Sequence, residues 1–231
     1  ITSVMKLEDI NWNQILYYAR YQGYIEFMRT IIEKIKKANI YIDWNYCLEE
    51  GCRGGKIEIV KMIIEESNCP LNWIRGLYGA SKGNNKYLVK LMIDYVSTLQ
   101  QRYESFELGY TLIETSDLEI AKLIIEISNE PEEIIKYFNT FICYRGNLEI
   151  FKYLISIYDN IDWDKALYNA CRGNKLSMIE YIISEGKKRG IRFDWESLTL
   201  DNNKVKKLIA DASDSTPPQD MINMSRKYNG C

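Results

Sequence analysis

The sequence contains no histidine, which removes the commonest metal ligand and the commonest general base near neutral pH. Its six cysteines, Cys47, Cys52, Cys69, Cys143, Cys171 and Cys231, form no C-x-x-C pair. Structural zinc sites favour closely spaced Cys and His, so no metal is expected. The opening residues ITSVMKLEDINW lack the basic and then apolar layout of a signal peptide, and reduced thiols are the expectation. Long apolar runs are also missing. Nothing approaches the roughly 18 consecutive apolar residues of a membrane-spanning helix. Basic excess is absent too, with 30 Lys and Arg against 32 Asp and Glu, so neither nucleic acid nor an anionic membrane is expected as a partner.

What is present is a repeat. Setting DWNYCLEEGCRGGKIEIVKMII (43 to 64) beside DWDKALYNACRGNKLSMIEYII (162 to 183) brings Asp-Trp, a Leu four residues after Trp, Cys-Arg-Gly and an apolar run into register. NWIRGLYGASKGNNKYLVKLMI (72 to 93) and NWNQILYYARYQGYIEFMRTII (11 to 32) are further copies. Two weaker copies, around TSDLEIAKLII and YRGNLEIFKYLI, lose the Trp, and Phe106 lies near the Trp position of the first of them. A shortened copy begins at Asp194-Trp195. Trp12, Trp44 and Trp73 follow at intervals of 32 and 29 residues, and Trp163 and Trp195 again at 32. A period near 30 residues marks an array of stacked supersecondary units. The organisation expected is an N-terminal extension over 1–10, about seven units over 11–212, and a polar C-terminal tail over 213–231 whose composition suits a flexible extension.

Each unit reads as two helices. Asp or Asn precedes all five tryptophans, and a short side-chain oxygen there can accept from the free N–H groups of the first helical turn. From Trp, apolar or small residues follow at +3, +4, +7 and +8, as in Trp44, Cys47, Leu48, Gly51 and Cys52, or Trp163, Ala166, Leu167, Ala170 and Cys171. That is one helical face. The small residues allow another backbone to come close, while Trp and Leu fill the space between units. Gly23, Gly54, Gly83, Gly146 and Gly173 mark the turn into a second helix, because Gly and Asn tolerate the left-handed conformation that ends many helices. That second helix carries Ile57, Val60 and Ile64 on one side, broadened by Ile59 and Ile63.

Helix, short Gly turn and helix at this period, with L-E-E-G-C-R-G-G-K-I-E-I-V-K-M-I-I in the second copy, resembles ankyrin repeats. The D-W-N variant is similar to the ankyrin-like repeats of large DNA viruses that infect amoebae. The likeness runs over about residues 10 to 210, although the Thr-Pro-Leu-His opening of that family is missing and Trp stands where its hairpin tip carries Gly. It implies an all-α helical-repeat solenoid with short or reduced hairpin loops. It also implies a non-enzymatic scaffold, free of cofactor, that binds a viral or host protein through its concave face. There the partner would meet Asn45, Tyr46, Glu49, Arg75, Tyr78, Lys165 and Tyr168. Two settings follow, in the host cytoplasm or packaged in a virion. In them the protein would be a structural part of a larger particle or a host-directed factor such as a ubiquitin-ligase adaptor.

The Gly-rich stretch GCRGGKIEIVK (51 to 61) tests the enzymatic alternative. A phosphate-binding loop of the G-x-x-x-x-G-K-[ST] type follows a strand, whereas here Glu50 replaces the first Gly, Ile57 follows Lys56, and a helix comes before the turn. The cysteines at recurring positions, Cys47, Cys52 and Cys171, give way in other copies to Ala166 or Gly76 and to Ser81 or Arg20, and read as small core residues rather than ligands or nucleophiles. Acidic pairs such as Glu65-Glu66 and the basic run Lys187, Lys188, Arg189 and Arg192 read as solvated turns. A turn and an anion site respond differently to substitution. Gly55→Val should destabilise the array in thermal melts, while Lys56→Ala should leave the melting temperature unchanged; a large loss with Lys56→Ala would identify a site.

Overall fold

The computed structural model describes residues 25–99 and 104–195, together with Leu198 and Val205, and nothing of the side chains of Tyr137 and Phe138. The described residues form helices and no strands. In order these are α1 (Ile25–Lys37), α2 (Trp44–Arg53), α3 (Ile57–Glu66), α4 (Trp73–Lys82), α5 (Lys86–Thr98), α6 (Ser105–Glu114), α7 (Leu118–Glu126), α8 (Pro131–Arg145), α9 (Leu148–Ile157), α10 (Trp163–Arg172) and α11 (Leu176–Lys188). They make five complete helix–turn–helix pairs, preceded by the second helix of another. Trp12, Gly23, the residues that would follow Trp195 in its copy and the polar tail lie outside the described residues. The chain divides into two compact units, Ile1–Ile134 and Ile135–Cys231.

The expected caps form. Asp43, Asn72 and Asp162 accept hydrogen bonds from the backbone N–H groups of Tyr46 (2.9 Å), Arg75 (3.1 Å) and Lys165 (3.0 Å). Where Trp is lost, α6 starts instead with a capping box, in which Glu104 and Glu107 exchange side-chain to backbone bonds. That box shifts the register by one from the expected alignment. Ser105 takes the Trp position, and Phe106 lies beside it, 55% exposed and edge-to-face with Tyr110.

In the first unit α4 is central, packing against α2, α5 and α6, while α5 and α7 pack together. Trp44, Leu48, Trp73 and Leu77 are buried as their periodicity predicts, and Trp73 stacks on Tyr95 with ring centres 4.0 Å apart. In the second unit α10 packs on α11, and Phe151 of α9 meets Trp163 and Tyr181 edge-on. The second helices bury a stripe rotated from the one expected. Ile59, Val60, Met62 and Ile63 are inside, Ile57 and Ile64 are half-buried, and Leu176 of the sixth copy is exposed.

The turns assign two different jobs to two neighbouring positions. Gly54, Gly83 and Gly173 are right-handed, with φ of −73°, −82° and −77°. The left-handed residue comes next: Gly55 (φ 68°), Asn84 (49°), Asn174 (53°) and Gly146 (81°). Gly146 thus sits one position later than the expected alignment of the turns, and Arg145 holds the place of Gly83 and Gly173. What Gly83 and Gly173 supply is closeness. A Cβ at Gly83 would lie 2.5 Å from the Arg53 carbonyl oxygen of α2, and one at Gly173 would collide with the Tyr144 carbonyl of α8. Gly79 in the middle of α4 sits against the Glu49 carbonyl in the same way.

The register of α8 also places Asn139 in the position held by Leu77 and Leu167. It is 1% exposed, and its Oδ1 has no hydrogen-bond partner. A buried polar atom left unsatisfied costs about 1–3 kcal/mol. Two melts check these readings. Gly79→Ala should cost about 2 kcal/mol or more, because backbone must move, whereas Gly51→Ala, whose tightest contact is the flexible end of Ile63 at 3.2 Å with Val60 and Ile59 at ordinary contact distance, should cost little. Asn139→Leu should raise the melting temperature, and a fall would show that its amide is needed.

Candidate functional site

Within each unit the first helices turn one face into the packing and leave a polar strip outside, and the seven expected contact residues, five in the first unit and two in the second, lie on or beside those strips. They do not all remain available. Asn45 Oδ1 accepts from the backbone N–H of Asn72 at 2.7 Å, so the residue after Trp holds the cap residue of the next copy. Asp164, in the equivalent position, accepts from the Asp194 N–H at 2.9 Å. These two side chains serve the array. Sequence reading missed Asp164, whose signal is its position one residue after Trp.

Glu49 and Arg75 face one another across α2 and α4, with Arg75 Nε and a terminal nitrogen donating to Glu49 Oε2 at 2.9 and 2.8 Å. Asp43 lies 4.0 Å from the same guanidinium. Further along the strip, Lys82 donates to the Tyr78 hydroxyl at 3.2 Å and reaches Glu114 of α6 at 3.4 Å. Burial alone would lower the Lys82 pKa, but the Tyr78 hydroxyl and the Glu114 carboxylate together raise it above its ordinary value. Tyr46 is half-buried. In the second unit Lys165 pairs with Asp162 at 3.0 Å. Burial pushes the Asp162 carboxyl up, and the Lys165 N–H and ammonium outweigh it, holding it below the usual carboxylate range. Tyr168 lies beside Arg172, 5.9 Å from ring centre to guanidinium carbon.

One position recurs in both units. Tyr78, Tyr110 and Tyr168 each stand five residues after the first residue of α4, α6 and α10. Sequence reading missed Tyr110 because its copy has no Trp to set the register. Tyr144, at the end of α8 and 45% exposed, was missed for the same reason.

The remaining chemistry is structural. Burial pushes the Cys52 thiol up to about 12 and Cys171 up to about 11, and raises Cys143 as well, so none is a ready nucleophile. The basic run expected in a turn begins inside α11, whose last turn holds Lys187 and Lys188, and Glu185 of that helix binds both Arg189 (3.1 Å) and Lys188 (3.3 Å), which lower its pKa. Among the described residues no group of three or more Cys, Asp or Glu is placed to hold a metal, and no helix is long and apolar enough to cross a membrane.

No family model matches the chain, and no solved structure matches it. A curated relative does. Protein L56 of Acanthamoeba polyphaga mimivirus, named for its ankyrin repeats, is 27% identical over 166 residues, which is 72% of this chain and 23% of that protein. The chain therefore spans about a quarter of the relative's length. The repeat, its capped helices and paired turns, and this likeness make the chain an ankyrin-like helical-repeat protein, similar to one that a mimivirus encodes.

Proposed function

We propose that the chain is a non-enzymatic interaction scaffold that binds a protein partner through the outward, polar faces of its first helices, the face expected to be concave in ankyrin arrays. The observation that carries this reading is the recurring tyrosine. Tyr78, Tyr110 and Tyr168 occupy one slot in three copies, outside the packed face, with Lys82 and Arg172 four residues after the first and last of them. Tyrosine and arginine are among the residues that most often concentrate binding energy at interfaces, and the repeat places them at the same position of the first helix in copies of both units. The ankyrin repeats for which the mimivirus relative is named support the same role.

Affinity capture with the tagged full chain, compared with a Tyr78→Ala, Tyr168→Ala double variant that keeps its helical circular dichroism, tests the proposal. A protein should be captured by the wild type and weakened at least about tenfold with the variant, as loss of interface anchors predicts. Equal capture by both, or none by either, would overturn it.

A further inference from the structure

We propose that the turn-side ends of α8 and α10 form a docking site for an acidic segment of the protein partner, with Arg172 as its anchor. The inference rests on the interaction role proposed above and goes beyond it by naming the chemistry of the partner. It comes from comparing one position in three copies. Arg53, Lys82 and Arg172 are each the last residue of a first helix, nine positions after Trp. A cation there is favoured by the partial negative charge of the helix end, so its presence alone needs no ligand. Its partners differ. Arg53 lies 3.5 Å from the buried Glu50 of its own helix, and Lys82 lies 3.4 Å from Glu114 of the next first helix. At Arg172 the residue equivalent to Glu50 is Asn169, and among the described residues no carboxylate oxygen comes within the 4.0 Å of an ion pair.

What Arg172 has instead is two aromatic rings. Its guanidinium carbon lies 6.0 Å from the Tyr144 ring centre and 5.9 Å from that of Tyr168. Rings of this kind attract the cation and restrict it, and they do not use up the N–H fork that matches a carboxylate with two parallel bonds. Lys175, three residues further on, is exposed and makes no ion pair among the described residues. Its stem lies against the left-handed turn of the preceding copy, where a Cβ added at Gly146 would meet Lys175 Cδ at 2.7 Å. Two exposed cations without a carboxylate, flanked by two tyrosines, complement a peptide carrying paired Asp or Glu side chains. A polyanion such as nucleic acid is a poorer fit, because its affinity grows with the number of phosphates neutralised, and two cations in a chain of net charge −2 offer few.

Titration of the full chain with an N-acetylated hexaglutamate peptide, followed by calorimetry and by the NMR signals of arginine Nε and tyrosine rings, tests the site. Hexalysine and inorganic phosphate serve as the comparison probes. Hexaglutamate should bind and shift the signals of Arg172, Tyr144 and Tyr168. Arg172→Ala should weaken it at least tenfold, and Lys175→Ala should weaken it less, while Arg53→Ala leaves it unchanged. Arg172→Lys, which keeps the charge and loses the fork, should fall between wild type and Arg172→Ala. Equal binding by the Arg172→Ala protein, no binding of hexaglutamate, or phosphate binding as tight as the peptide's would overturn the inference. Should hexaglutamate fail while a protein is still captured in a manner that needs Tyr78 and Tyr168, the acidic-segment inference falls and the scaffold reading stands.

Discussion

Neighbouring first helices meet backbone to backbone, and most of the repeat's sequence serves that contact. Gly79 lies against the Glu49 carbonyl, Gly83 against that of Arg53, and Gly173 against that of Tyr144, so the helices sit too close for even a methyl group at these points. Packing this tight makes a polar side chain on the inner face costly, as the buried and unpaired Ser81 hydroxyl and Asn139 amide oxygen show. Small residues line it at Gly76, Ala80, Ala166 and Ala170, while Trp and Leu close the edges where the gap widens. The second helices can then be more permissive. They present broad Ile-rich surfaces that accept a rotated stripe, as the exposed Leu176 and buried Met62 and Met178 show.

The same contact decides which polar groups are committed. A helix that must start at a fixed height needs its first turn satisfied, and Asp43, Asn72 and Asp162 do this. The chain must then be held to its neighbour, which Asn45 and Asp164 accomplish from the residue after Trp. In D-W-N the Asp starts a helix, the Trp packs it and the Asn ties down the next. The recurring tyrosines neither cap, pack nor tie the first helices in this way, while Arg75 and Lys82 add ion pairs to Glu49 and Glu114 of neighbouring first helices.

Trp44, Leu48, Ala166, Cys171 and the three caps were legible because each depends on spacing within a single copy. Asn45 was not, since its partner is 27 residues away and a hydrogen bond between copies leaves no periodic trace within one. The register of α6 and α8 was lost with their tryptophans. Phe106 was therefore set near a slot that Ser105 fills, Gly146 was matched to the wrong half of the turn, and Asn139 could not be recognised as a polar residue in a leucine position. The contrast among Arg53, Lys82 and Arg172 was hidden for a related reason. The sequence shows three equivalent cations, and only the fold shows that Glu114, 32 residues along, reaches the second of them.

The tie from Asn45 to Asn72 recurs from Asp164 to Asp194, with a backbone N–H as donor and a side-chain oxygen as acceptor at the same two places, whereas Ile74 stands after Trp73 and offers no such oxygen. A second copy of either kind placed beside the first would find this bond already provided, with a cap residue's N–H on one side and an amide or carboxylate oxygen on the other. Copies of these two kinds can be gained or lost without inventing a new junction, and where they stand the length of the array is free to vary while its joints stay the same.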